Sequence, residues 1–345
     1  MSLSAKISAT VITGFLGAGK TTIIQNILQH NDNRRIALII NEFGDVGIDG
    51  DLLKGCGNEL CSDEDIVELA NGCICCTVAD DFIPTMERLL EKDSPPEHII
   101  IETSGLALPE PLVRAFNWPE IRTKVNLDGV VTVVDGAALK DGQFAIDEDA
   151  VETHRQMIDE IDHESPLSEL FDDQIETADM IVLNKADLLE AADIENIREN
   201  LKARSPEGVT VIPSQNGNLK LEVILGLSEN STRTTRSSSS HHHHEDHDHD
   251  DFENLHIRIP TLASREDFLN RLSDIIRDHN ILRIKGILAE SNKPMRLIVQ
   301  AAGPRVNSYY DRTWQTDEQQ KSELILIGHA GMDRQAIETA LTSDR

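Results

Sequence analysis

Ala9-Thr10-Val11-Ile12-Thr13-Gly14-Phe15-Leu16-Gly17-Ala18-Gly19-Lys20-Thr21-Thr22 leads from a β-rich apolar run through a glycine-rich turn into a helical pattern, and this passage decides the fold. Gly14 through Thr21 fits G-x-x-x-x-G-K-[ST], and the flanking strand and helix are the context that gives the pattern meaning. Glycines let backbone N–H groups curl around phosphate oxygens at a helix N-terminus, where the dipole also favours anions. Gly14, Gly17, Ala18, Gly19 and Thr22 are therefore expected to line the phosphates. Lys20 is expected to bridge the β- and γ-phosphates, and the Thr21 hydroxyl to ligate Mg²⁺.

Outward from that loop, residues 7–228 alternate short β-rich runs with helical patterns, which predicts a mostly parallel sheet flanked by helices. Strands are expected at Ile7–Thr13, Arg35–Asn41, His98–Glu102, Asp128–Val134, Asp179–Leu183 and Val209–Ile212, with helices at Lys20–Gln29, Phe82–Glu91 and Asp193–Ala203. The fold class is α/β, with ligand motifs at the carboxyl ends of strands. Residues 229–254 lack the apolar content to fold and read as a disordered Ser/His/Asp-rich linker. Beyond it, 255–345 reads as a small α+β domain: strand Leu255–Ile259, helix Arg265–Asp278, strands Leu282–Leu288 and Met295–Ala301, a Pro/Tyr/Trp-bearing connection, strand Leu324–Ile327 and helix Arg334–Leu341.

Two further motifs sit at predicted strand ends. Ile99-Ile100-Ile101-Glu102-Thr103-Ser104-Gly105 places a carboxylate after a buried strand and a glycine whose N–H can meet a γ-phosphate. Glu102 is assigned to the Mg²⁺ shell or its water, the alternative being a surface carboxylate at a strand end. Asn184-Lys185-Ala186-Asp187 follows Met180–Leu183. Asp187 can accept both the N1–H and the exocyclic amine hydrogen of guanine, a pair adenine lacks, so GTP is expected over ATP. An ordinary helix start carrying an Asp is the competing reading. No glutamine follows Gly105 to orient an attacking water, so slow hydrolysis without a partner or metal is expected.

All five cysteines, Cys56, Cys61, Cys73, Cys75 and Cys76, fall within 21 positions, an odd, clustered set that suits a reduced metal site better than a disulfide framework. Thiolates favour Zn²⁺, Co²⁺, Ni²⁺ or Cu⁺ over Mg²⁺ or Ca²⁺. Cys73, Cys75 and Cys76 are candidate ligands, with Glu42, in the Asn41–Gly47 loop after the second strand, as the completing ligand. A redox Cys73/Cys76 pair and a structural zinc site remain open. His241, His242, His243, His244, His247 and His249 offer weak, exchangeable ligands; either they concentrate metal near the thiolates or they are part of a solvated acidic linker.

The chain has 345 residues, long enough for two cores. With 61 acidic against 32 basic side chains its formal charge is −29, which repels nucleic acid and anionic lipid. No stretch approaches the roughly 20 apolar residues a membrane span needs, and no signal sequence is recognised, so a cytoplasmic location is expected.

Taken together, Gly14–Thr22, Asn41-Glu42-Phe43-Gly44, Cys73-Ile74-Cys75-Cys76, Glu102–Gly105 and Asn184–Asp187, followed by a His-rich linker and a small final domain, resemble the CobW family of metallochaperone GTPases over nearly the whole chain. Lys54-Gly55-Cys56-Gly57 and Cys75–Met86 resemble its cobalamin-biosynthesis branch more than its zinc-associated members. The resemblance implies a P-loop GTPase that binds Co²⁺ in its Mg²⁺–GTP form and delivers it to the cobaltochelatase of aerobic cobalamin synthesis; it carries the metal role onto Cys73, Cys75 and Cys76 without settling which of these thiols bind. A zinc or nickel chaperone is the alternative within the family. A storage protein with a non-switching nucleotide site is the alternative outside it.

Overall fold

The computed structural model describes residues 6–31, 34–41, 66–69, 82–156, 166–226, 252–316 and 318–343. They divide into two units, Ala5–Leu221 and Glu222–Arg345.

The first unit is built on seven strands: β1 (Ile7–Thr13), β2 (Ile36–Asn41), β3 (Ile66–Leu69), β4 (His98–Glu102), β5 (Val125–Asp135), β6 (Met180–Asn184) and β7 (Thr210–Pro213). All pair in parallel, in the order β3-β2-β4-β1-β5-β6-β7. Parallel strands are covered on both faces, which is why their sequences read as continuous apolar runs rather than alternating ones. In β4 all five side chains are buried, the terminal Glu102 included. From β1 the chain passes to β2 on one flank, whereas from the neighbouring β5 it passes to β6 on the other, so the loop after β1 opens at the crevice where ligands bind in such sheets.

Register aligns the carboxyl ends. Ile12 faces Glu102, Thr13 faces Thr132, and Asp135 faces Asn184. On the other flank Ile40 faces Glu102 and Asn41 faces Leu69. Helices Ile83–Leu90 and Glu110–Ala115 contribute Met86, Leu89 and Leu112 to a core with Val11, Ile39 and Ile101. Helices Leu167–Glu176 and Ala191–Arg204 contribute Phe171, Ile175, Ile197 and Leu201 to a core with Phe15, Val134 and Leu183.

The second unit contains β8 (Phe252–Ile259), β9 (Ile281–Leu288), β10 (Met295–Ala302), β11 (Arg305–Thr313) and β12 (Ser322–His329) in an antiparallel sheet of order β11-β10-β9-β12-β8. Its core joins Ile257, Ile284, Leu297, Val299, Leu324 and Leu326 to Phe268, Leu272 and Ile276 of helix Arg265–Asp278 and to Ile337 and Leu341 of helix Arg334–Thr342. This is the expected α+β arrangement.

Three features differ from the sequence reading. The connection carrying Tyr309 and Tyr310 is strand β11, hydrogen-bonded to β10 through a two-residue turn between Ala302 and Arg305. Gly303 in that turn has φ 47, as a primed hairpin turn requires. As an edge strand with mostly half-buried side chains, β11 carries a polar sequence in which the alternating apolar signal is lost. Strand β3 was not expected either; its four residues are too short to register as a period. Finally, residues 222–226, assigned by sequence to the first domain, group with the second unit. There the guanidinium of Arg283, 3% exposed on β9, donates to the carbonyls of Val223, at 2.9 Å, and Ile224, near the end of helix Leu221–Leu225.

Candidate nucleotide-binding site

The loop after β1 takes a path that only glycine permits at two points. Gly14 has φ 133, and a Cβ there would lie 2.0 Å from the Val133 carbonyl oxygen. Gly19, at φ 100, is the N-cap of helix Lys20–Gln29, and its Cβ would meet the Asn184 amide nitrogen at 2.2 Å. The loop is thus pressed against β5 on one side and the end of β6 on the other. No side chain caps the helix start and its first turn carries no acid, leaving the N–H groups and the dipole directed at an anion.

Lys20 is 7% exposed and arches back over the loop, its Nζ donating to the carbonyls of Gly14 at 2.8 Å and Phe15 at 3.2 Å. The Thr21 hydroxyl donates to Glu102 Oε1 at 3.0 Å, joining residues 81 apart. Thr22 is exposed beside them. A hydroxyl and a carboxylate converging at a phosphate loop are the hard oxygen donors that Mg²⁺ takes. Glu102 is therefore not a surface acid; it is 5% exposed at the sheet's carboxyl edge.

Next along the chain, Thr103 is tied to β1 by its N–H to Ile12 O at 3.0 Å and its hydroxyl to Thr13 Oγ1 at 2.8 Å. Ser104 to Ala107 then form a turn, Ala107 N donating to Ser104 O at 3.1 Å. A Cβ on Gly105 would stand 2.5 Å from Leu16 N, so the turn rests on the phosphate loop itself.

The Asn184–Asp187 motif divides its work. Asn184 is 3% exposed and points inward: Nδ2 donates to Ala18 O at 2.9 Å and Oδ1 accepts from Gly217 N at 3.1 Å. It joins the loop after β6 to the phosphate loop and to the turn after β7. Lys185, at φ 58, donates to Asp135 Oδ2 at 2.6 Å, while Asp135, 2% exposed, uses Oδ1 to cap helix Gly136–Lys140 through Ala137 N and Ala138 N. Asp187 is exposed in the short 3₁₀ turn Ala186–Leu188. Sequence reasoning missed Asp135 and the turn Gln215-Asn216-Gly217. That turn is held by Asn184, by Asn26 Nδ2 donating to Asn216 O at 3.0 Å, and by Ala186 N donating to Ser214 O at 3.0 Å. An Asn-Gly pair shortly after a strand of the same sheet was the available signal.

Cys56, Cys61, Cys73, Cys75, Cys76, Glu42 and the histidines from His241 to His249 lie outside the described residues. Among the described residues, no group of three or more His, Cys, Asp or Glu side chains is placed to hold a metal ion. No helix among them is long and apolar enough to cross a membrane.

Residues 8–211 match the CobW/HypB/UreG nucleotide-binding domain and residues 252–343 match the cobalamin synthesis protein cobW C-terminal domain. A relative from Sinorhizobium sp., named zinc chaperone CobW, is 52% identical over 98% of this chain and 97% of its own length. A Pseudomonas aeruginosa protein of the same name is 44% identical, covering 99% and 92%. Among solved structures, the Zn(II)-bound YjiA GTPase of Escherichia coli is similar at 23% identity and TM-score 0.41, covering 98% of each chain. With both family models matched in order along one chain, and the phosphate loop, Thr21–Glu102 pair and Asn184 tether assembled at one edge of the sheet, the chain belongs to the CobW/HypB/UreG family of P-loop GTPases.

Proposed function

We propose that the chain is a GTP-dependent metal chaperone whose cargo is Zn²⁺. In this reading Lys20 neutralises the β- and γ-phosphates, Thr21 and Glu102 hold Mg²⁺, Gly105 N–H meets the γ-phosphate, and Asp187 reads guanine. Bound Mg²⁺ would supply charge neutralisation between the β- and γ-phosphates. Cys73, Cys75, Cys76 and Glu42 are the proposed cargo ligands, with the His241–His249 tract as a weak capture site.

The observation that carries the coupling of metal to nucleotide is the register at the sheet edge. Ile40, two residues before Glu42, is the neighbour of Glu102, and Asn41 is the neighbour of Leu69, four residues before Cys73. Four residues of chain reach at most about 14 Å, so both metal-bearing segments start within a short span of the proposed Mg²⁺ ligand. A change at Glu102 that follows the γ-phosphate can therefore assemble or dismantle a thiolate site without a long relay.

Zinc is preferred over the cobalt that the sequence resemblance implies. Two relatives covering nearly the whole chain are named zinc chaperones, and the intrinsic affinity order places Zn²⁺ above Co²⁺ at such donors. Delivery of Co²⁺ to a cobaltochelatase draws no support from them. The test is a titration of Zn²⁺ and Co²⁺ into the Mg²⁺-bound forms with a non-hydrolysable GTP analogue, with GDP and without nucleotide. A near-complete load-and-release swing corresponds to about 10⁴-fold weaker binding in the GDP form. Tighter retention of Co²⁺ than of Zn²⁺ in the triphosphate form would restore the cobalt reading. Equal metal affinity in all three forms would leave a storage protein.

A further inference from the structure

The turn that carries Gly105 is held from behind by one buried side chain. Gln174, 1% exposed on helix Leu167–Glu176, donates its amide Nε2 to Gly105 O at 3.3 Å and to Ala107 O at 3.2 Å. Two carbonyl acceptors can be met only by the NH₂ end of the amide, so the hydrogen-bond network fixes which way the group points. The backbone of the same residue is anchored as well: Thr132 Oγ1, on β5, donates to Gln174 O at 2.9 Å. Gly105 therefore lies between the phosphate loop, which leaves no room for a Cβ, and an amide that grips its carbonyl.

The other end of that amide is telling. Gln174 Oε1 is buried and has no hydrogen-bond partner among the described residues. An unmet buried acceptor is costly, and an apolar side chain of similar length would fill the space without that cost. A glutamine here is explained by its two donor hydrogens and the backbone they orient, rather than by packing.

We infer that Gln174 is a positioning residue that fixes the Gly105 turn for the γ-phosphate and thereby sets how strongly the site tells GTP from GDP. The inference rests on the proposed contact between Gly105 N–H and the γ-phosphate. Holding the carbonyls of Gly105 and Ala107 restrains the backbone dihedrals on either side of Leu106 and leaves the Gly105 N–H edge to the nucleotide. The β-phosphate, by contrast, is met by the phosphate loop, which Gln174 does not touch in any described contact. Loss of the amide should then weaken the triphosphate and spare the diphosphate.

The experiment compares the full-length protein with Gln174→Met, which keeps length and removes both donors, and with Gln174→Asn, which withdraws the amide by one methylene. Thr132→Val is the control, because it loosens the same helix while leaving the amide in place. Affinities for a non-hydrolysable GTP analogue and for GDP are measured with Mg²⁺ present, alongside thermal unfolding. Both Gln174 variants should lose about 10- to 100-fold in the ratio of analogue to GDP affinity, the value of a hydrogen bond to a charged group, with GDP affinity within about twofold of wild type. Thr132→Val should lower the melting temperature and keep the ratio. A folded Gln174→Met or Gln174→Asn with the wild-type ratio, or parallel loss for both nucleotides, would overturn the inference. Amide hydrogen exchange on the unmodified protein checks the underlying contact without a variant: protection across Gly105–Ala107 should rise with the analogue over GDP, and identical protection would sink the reading of Gly105 on which the inference rests. A wild-type protein that does not distinguish the analogue from GDP would instead sink the reading of Gly105.

Discussion

Replacing Asn184 by alanine tests the architecture of the nucleotide site most directly. The side chain is 3% exposed and spends both ends of its amide on backbone, donating to Ala18 O at 2.9 Å and accepting from Gly217 N at 3.1 Å. Alanine leaves a carbonyl of the phosphate loop and an N–H of the Gly217 turn without partners. Each orphaned buried group costs about 1–3 kcal/mol, so the pair amounts to roughly 2–6 kcal/mol. Against the 5–15 kcal/mol typical of a folded domain this is a large share. With a urea slope of about 2–3 kcal/mol per molar for a unit of this size, the midpoint should fall by about 1–2 M. The assay is urea unfolding of the full-length protein followed by far-UV circular dichroism, with the slope fitted independently for variant and wild type. Nucleotide affinity should fall for GTP and GDP alike, because the tether sits under the portion of the site the two ligands share. A midpoint shift below about 0.3 M together with unchanged affinities would refute the tether.

Asp187→Ala should nearly abolish the preference for GTP over ATP while leaving the fold stable, since Asp187 is exposed and its assigned partner is the base; competition binding with the two nucleotides measures it, and equal ATP and GTP affinity in the unmodified protein would remove the assignment. In the second unit, hydrogen bonds from Arg312 hold the Glu318 carboxyl down at about 2, against an ordinary value of 4.5. A depressed folded value stabilises above about pH 4.5, and that contribution is lost as pH falls toward 2. Glu318→Gln should therefore cost roughly 1 kcal/mol near neutral pH, discounted for its partial exposure and screening. The gap to wild type should close under acid, as followed by unfolding curves from pH 7 to pH 2; a difference independent of pH would exclude the ion pair as its source.

Much of this protein is written in short-range pattern. Strand β1, helix Lys20–Gln29, strand β4 and helix Arg265–Asp278 appear at their expected bounds, because apolar periodicity and the glycine turn act among residues a few positions apart. The phosphate loop was legible for the same reason: its glycines, Lys20 and Thr21 are consecutive, and their backbone needs are local. Glu102 and Asp187 could be nominated because each follows an apolar strand, and in a parallel sheet strand ends mark the ligand edge.

What the sequence left open is what depends on register and on contacts between distant elements. Nothing local says that Thr21 reaches Glu102, that Asn184 serves the phosphate loop as a tether, or that Asp135 holds Lys185. Edge strand β11 escaped notice because its mostly half-buried side chains need no regular alternation, and β3 because four residues make no period. Gln174 is the clearest case. In sequence it is one polar position in the acidic helix Leu167–Glu176; only the packing of that helix over the sheet turns its amide toward Gly105. Sequence alone determined most of the strands, several of the helices and where phosphates are to be met, since those follow from the chemistry of neighbouring residues. The tertiary structure decided which side chains hold that site in place, since burial and hydrogen-bond geometry between residues 50 or more positions apart exist only once the sheet has set its register.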